Sequence, residues 1–180
     1  MRKTIAVLFL LLVAAAGWSG DYFTLGGMWG YGSNVSDKVD VQKQDLEHQE
    51  LFAAITLEEE TLLTLRAGRI QPREEGPTDL ELDYVAMTVT YLFDTRLGTT
   101  GFYGGPAYYM GDIFHFNPEL PAGTQRWTEE VDKFGATAGV EAFFPLSQTF
   151  MIYAQIAGHY IPADQEQFTM HLGVGLAVRF

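Results

Sequence analysis

The stretch Gln167–Phe180 (QFTMHLGVGLAVRF) decides how the rest of the chain is read. From Phe168 every second side chain is apolar, through Met170, Leu172, Val174, Leu176 and Val178 to Phe180. The intervening set is Gln167, Thr169, His171, Gly173, Gly175, Ala177 and Arg179. A period of two is the signature of a strand, because successive side chains of an extended chain point to opposite faces. The alternation recurs in Phe134, Ala136, Ala138, Val140, Ala142 and Phe144, and again in Phe150, Ile152, Ala154, Ile156, Gly158 and Tyr160. It recurs upstream in Val85, Met87, Val89, Tyr91 and Phe93, and in Phe23, Leu25, Gly27, Trp29 and Tyr31.

Three more segments are less regular. Phe102–Met110 (FYGGPAYYM) is aromatic-rich but broken by Gly104, Gly105 and Pro106. Glu50–Leu57 and Thr61–Arg69 are rich in Leu, Glu and Ala: Leu51, Ile55, Leu62 and Leu65 fit a helical stripe about as well as Leu51, Ala53, Ile55 and Leu57 fit a strand. The connections tip the balance toward strands. Short turns at Glu58–Glu60, Asp94–Thr100 and Pro145–Gln148 alternate with the polar connections Gly32–Gln49, Ile70–Leu80, Gly111–Glu130 and the shorter Pro162–Glu166. That alternation predicts an all-β fold, an eight-stranded antiparallel up-and-down transmembrane β-barrel with both termini at the short-turn, periplasmic side and the long loops extracellular. Segments such as Phe134–Phe144 suit the dimension, since ten residues at ~3.3 Å each, tilted by roughly 45°, span about 23 Å. A soluble lipocalin-like barrel would turn its large apolar face inward around a ligand. Here the opposite face mixes Gly and Ala with Arg66, Glu141, Gln155 and two His, a mixture suited to a crowded polar lumen.

Composition agrees. In 180 residues, 47% hydrophobic and 19% charged, there is material for one compact domain. The absence of cysteine excludes a disulfide scaffold, a zinc ribbon and a thiol nucleophile. Arg2 and Lys3, the apolar run Ile5–Val13 and Ala14-Ala15-Ala16 describe an export signal cut after Ala16, with Ser19 as the other cut. The expected organisation is a signal peptide over 1–16 and a barrel domain over 17–180. Losing Arg2 and Lys3 takes the net charge from -12 to about -14, which repels phosphates and argues against a nucleic-acid partner.

The closing strand HLGVGLAVRF, the segment FYGGPAYYMG and the run KFGATAGVEAFFPLSQ resemble the small outer-membrane β-barrel proteins of the OmpA membrane domain, OmpX and opacity-protein type. The resemblance covers the whole chain after the signal region. It implies residence in the bacterial outer membrane among lipopolysaccharide, and it makes Phe180 the terminal aromatic that the barrel-assembly machinery recognises. Nothing follows Phe180, so cell-wall anchoring through an appended domain is not expected.

Four features are candidates for chemistry. Lipid A hydrolysis or acyl transfer, as performed by barrel enzymes, needs a serine beside a histidine. Beyond Ser19 at the signal boundary only Ser33, Ser36 and Ser147 remain, none next to a His in sequence, so no enzyme is expected. If the last hairpin turns about Gln165, His159 faces His171 on the inner face, a weak metal or proton site that Glu50 or His48 would have to complete. Arg66 and Glu141 fall on the inner face with Gln155 and Tyr153, and the favoured reading is a satisfied polar network in a lumen too narrow for more than its own side chains, with a gate as the alternative. The connections are acidic: Gly32–Glu50, Arg69–Asp83 and Gly111–Lys133 each hold five acids to two bases. Such a rim gives solubility and repulsion, or collects divalent cations that bridge to lipopolysaccharide phosphates. No cofactor is implied.

Pro106 adds a fifth feature. A proline on a central strand deletes a ladder bond, read first as a bulge and otherwise as a lateral gap between lumen and bilayer. The expected role is structural or surface-interacting. The alternatives are a narrow conduit or lateral-gap transporter for small hydrophobic molecules and, more remotely, a lipid A-modifying enzyme.

Overall fold

The structure, a computed structural model, describes residues 23–35, 45–73, 80–116, 121, 126–163 and 166–180. The expected signal peptide over 1–16 lies outside them. Eight strands are formed: β1 (Phe23–Asn34), β2 (Asp45–Glu58), β3 (Thr61–Pro72), β4 (Leu80–Thr95), β5 (Gly98–Phe116), β6 (Arg126–Pro145), β7 (Phe150–Ile161) and β8 (Gln167–Arg179). Each pairs antiparallel with the next and β1 pairs with β8, so the sheet closes on itself. Both ambiguous segments, Glu50–Leu57 and Thr61–Arg69, are strands. Their charged and apolar side chains alternate between lumen and exterior, and ring closure settles a choice that local propensity left open.

Several strands run further than the sequence pattern marks. Residues 111–116 and 126–130, read as connection, belong to β5 and β6, which pair from Thr99 opposite Phe143 to Phe116 opposite Arg126. Cross-strand contacts hold this extension: Ile113 and Val131 are buried, and the His115 ring stacks on Trp127 with centroids 4.9 Å apart. The short turns are tighter than expected, since β4 ends at Thr95 and β5 begins at Gly98.

The outer wall carries two aromatic girdles. Near the short turns lie Phe23 against Phe180 (6.2 Å between centroids) and Phe93 against Phe102 (5.5 Å). Toward the long connections lie Trp29 against Tyr31 (5.1 Å) and Tyr108 against Phe134 (4.8 Å). Met87, Val89, Ile156, Leu172, Val174 and Leu176 are exposed between them. The apolar band ends on β1–β4 in a polar belt, where Trp29 Nε1 and Gln49 Nε2 donate to Glu47 and Arg69 forks onto Asp83 at 2.7 and 3.1 Å.

Pro106 does not produce the expected bulge. On the β4 side the register is the same at Ala86–Ala107 and at Val89–Gly104, with the two intervening pairs missing. On the β6 side the ladder is unbroken through Gly105–Thr137 and Pro106–Ala136. The reason is that the N–H and C=O of one residue in an antiparallel strand point to the same neighbour, so the missing proline donor weakens one seam only. The strands stay close there: a Cβ built on Gly105 would meet the Met87 carbonyl oxygen at 2.1 Å. The register shift lies instead between Thr56 and Glu58, in the β2–β3 hairpin.

Facing can be tested at β8. Val174→Arg puts a charge in the middle of the outer band at a cost of about 2 to 4 kcal/mol and should prevent stable insertion. The inward Gly173→Ala meets the far end of the Met28 side chain at 2.7 Å and backbone, the Trp29 carbonyl oxygen, at an ordinary 3.5 Å, and should fold. Gly175→Ala meets the Gly27 carbonyl oxygen at 1.9 Å and should fold poorly. The gel-mobility difference between unheated and boiled protein reads all three.

Candidate functional site in the barrel lumen

Inward-facing positions of β2–β7 bring one cation and two carboxylates together in the middle of the lumen. Arg66 on β3, 1% exposed, donates from Nη1 to Glu50 Oε1 at 2.9 Å and from Nη2 to Glu141 Oε2 at 2.6 Å. Its Nε donates to Thr88 Oγ1 at 3.0 Å and Nη1 also reaches the Tyr153 hydroxyl at 3.0 Å. The guanidinium lies over the Tyr103 ring, 4.1 Å from its centroid. Two carboxylates share one guanidinium, and hydroxyls supply the remaining donors. Tyr84 donates to Glu50 Oε2 at 2.5 Å, Thr90 to Glu141 Oε1 at 2.7 Å, and Tyr153 to Glu141 Oε2 at 2.8 Å. Gln155 Nε2 donates to the Tyr103 hydroxyl.

Arg66, Glu141, Gln155 and Tyr153 therefore meet in one network, joined by Glu50, Tyr84, Thr88, Thr90 and Tyr103, which the sequence reading did not assign to it. Parity held the missing signal. Glu50 shares an inward face with Phe52, and Tyr84 shares one with Ala86 and Thr88. Which of these reach the same height depends on strand stagger, which periodicity does not give.

Two apolar layers bracket the charges. Toward the long connections Leu46, Ile70, Leu80, Leu82, Ile113, Val131 and Ile161 pack together. Toward the short turns Met28, Phe52, Ala54, Leu62, Leu92, Phe143, Met151 and Ala177 do so. A cleft of about 920 Å³ bordered by Trp29, Leu51, Ala67 and Val174 lies at the wall of β1–β4 and β8, where Gly27 and Gly175 leave little side-chain cover.

The histidines require a correction. β7 and β8 pair so that His159 faces Thr169 and Ala157 faces His171, a register two residues away from the expected pairing of His159 with His171. Ala163 N–H donates to Ile161 C=O at 2.9 Å, so the chain leaves β7 in a tight turn at Pro162. A shift of two residues keeps the facing, so both rings stay in the lumen, as diagonal neighbours 5.3 Å apart. His48 lies against them and Glu50 belongs to Arg66. The fourth histidine, His115, is elsewhere, 3.2 Å from Glu129.

Ser147 Oγ accepts the Thr149 and Phe150 N–H groups at 3.2 and 3.0 Å and serves to form the β6–β7 turn. Ser36 lies outside the described residues, as do Asp37, Asp40, Glu74, Glu75, Asp79, Glu119 and Asp164 of the acidic connections. Phe180 N–H donates to the Phe23 carbonyl at 2.9 Å across the β1–β8 seam.

Removing one member of a buried ion cluster leaves the others uncompensated. Arg66→Met should destabilise the barrel by about 3 to 5 kcal/mol in detergent unfolding, and adding Glu50→Gln and Glu141→Gln to it should recover much of the loss.

No family model matches the chain, and no curated protein does. Solved structures match in fold. Neisserial surface protein A superposes with a TM-score of 0.62 at 15% identity over 88% of this chain and 97% of that one. Ail, the attachment invasion locus protein of Yersinia pestis, gives 0.59 at 13% over 89% and 99%, and has also been solved with the heparin analogue sucrose octasulfate. A major outer membrane protein of Thermus thermophilus gives 0.58 at 13% over 89% and 100%. The chain therefore has the fold of small eight-stranded outer-membrane barrels.

Proposed function

We propose that the protein is a bacterial outer-membrane barrel with a structural and surface-interacting role, its long connections extracellular and its two ends periplasmic. The observation that carries this reading is the combination of an apolar outer band between two aromatic girdles with a lumen occupied, among the described residues, at three levels: the layer of Leu46 and Ile70, the network of Arg66, and the layer of Phe52 and Phe143. The band demands lipid, and a bore of eight strands occupied at these levels argues against an axial path for solute. Purified folded protein should give no stepwise conductance in planar bilayers, and it should fractionate with the outer membrane. Steady channel openings would overturn the structural role.

The surface chemistry supports a partner that is basic, or one bridged by Ca²⁺ or Mg²⁺ to lipopolysaccharide phosphates. The chain carries -12 overall, and its connections are acidic. A polysulfated ligand of the kind solved with Ail would be repelled by such a rim. Assembly is assigned to the barrel-assembly machinery, with Phe180, 69% exposed in the short-turn girdle, as the recognised aromatic. Phe180→Asp should abolish outer-membrane yield, and a normal yield would remove that role.

A second reading rests on the lapse in pairing at Pro106: a lateral gap for a small hydrophobic molecule. Pro106→Ala should restore the bond across the β4–β5 seam and raise amide protection there. Under the gap reading it also lowers uptake of an apolar fluorescent probe, and unchanged uptake in the better-protected variant rules that reading out.

A further inference from the structure

Three of the chain's four histidines meet in the lumen beside the network of Arg66. His48, His159 and His171 are 0%, 0% and 2% exposed. Their ring centroids stand 4.5 Å (His48–His171), 5.3 Å (His159–His171) and 5.4 Å (His48–His159) apart. One nitrogen of each ring has a hydroxyl partner: His48 Nε2 with Tyr84 at 2.7 Å, His159 Nδ1 with Tyr109 at 3.0 Å, and His171 Nε2 with Thr169 at 2.9 Å. The other nitrogen of each ring, His48 Nδ1, His159 Nε2 and His171 Nδ1, is buried with no hydrogen-bond partner.

The hydroxyls fix two tautomers. Tyr84 gives its one hydrogen to Glu50, so toward His48 it is the acceptor and Nε2 carries the ring proton. Tyr109 gives its hydrogen to the Ala136 carbonyl at 3.0 Å, so His159 carries its proton on Nδ1. In the neutral rings, His48 Nδ1 and His159 Nε2 are then bare lone pairs, buried without a donor, which is costly unless an electron-pair acceptor answers them. The spacing fits such an acceptor. An imidazole bound at ~2.1 Å puts its ring centroid about 3.2 Å from the ion, and three rings sharing a tetrahedral ion stand roughly 5 Å apart.

We propose that His48, His159 and His171 bind one divalent transition-metal ion of the imidazole-preferring class, Zn²⁺ or Co²⁺, with Tyr84, Tyr109 and Thr169 as the outer partners that fix ring orientation. Among the described residues no three His, Asp or Glu side chains already stand in coordinating geometry. The rings therefore turn about their side-chain bonds to meet at the ion, and the orphaned lone pairs are what drives that turn. Packing of the lumen on both sides makes loading during folding the efficient route.

The test is to refold the untagged chain in detergent with Co²⁺, strip loose ion on a chelating resin, and measure retained cobalt and its visible spectrum. The expected result is one Co²⁺ per chain with the intense bands of a tetrahedral ion, displaced by Zn²⁺. His171→Gln and His159→Gln should each lose it, and His115→Gln should keep it. Tyr109→Phe should weaken retention by roughly 10- to 100-fold. No cobalt on the folded wild-type chain, equal retention in His171→Gln and His159→Gln, or loss in His115→Gln alone each overturns the proposal. Should both cluster variants fail to fold, imidazole ¹⁵N spectra of the wild type with Zn²⁺ decide: three rings shift and one does not, and any other pattern overturns it.

Discussion

A sheet inside hydrocarbon has no water to satisfy a free edge, and the hydrogen-bonded seam between β1 and β8 is what removes the edge from this one. From Thr24 opposite Arg179 to Asn34 opposite Thr169, the first and last strands exchange the bonds that would otherwise be left open. Each unsatisfied backbone group in a bilayer costs several kcal/mol, so closure dominates every local preference in the strands. Leu- and Glu-rich β2 and Leu-rich β3 are extended for this reason, although their composition would serve a helix.

Closure also sets the problem that the lumen solves. Eight strands enclose a bore only wide enough for side chains, and any charge turned inward must find its partner there. Arg66 meets this demand by using all three of its nitrogens, and Glu50 and Glu141 meet it by accepting from hydroxyls as well. The network links strands far apart in sequence, such as β3 with β6 and β7. The apolar layers on either side exclude the water that would loosen it, so the interior resembles the core of a soluble domain with a polar centre.

How much of this could be read from the sequence depends on the distance over which the information is carried. Facing is local: period two put Arg66, Glu141, Gln155, Tyr153, His159 and His171 inside without reference to any other strand. Stagger is not local. The partner of His159 followed from where the chain turns at Pro162, and a register two residues off moved the partner from Thr169 to His171. The outcome at Pro106 was likewise decided by which neighbour its backbone faces. The lengths of β5 and β6 were hidden because residues 111–116 and 126–130 are too polar for the lipid-band pattern, and are held by ring stacking and cross-strand contacts.

Those two strands give the outer surface an uneven profile. β5 and β6 run for 19 and 20 residues, whereas β7 and β8 run for 12 and 13. β4 accompanies β5 as far as Leu80 opposite Ile113, so the three pairs from Phe114–Thr128 to Phe116–Arg126 carry the ladder past β4 by about 10 Å at ~3.3 Å per residue. Among the described residues, that ribbon is where the sheet reaches furthest past its neighbours at the long-connection end. Beyond β4 the ribbon is held by the β5–β6 seam alone, with the stack of His115 on Trp127 one pair from its end. Fraying of that end breaks β5–β6 bonds alone and leaves the closed ring below it intact.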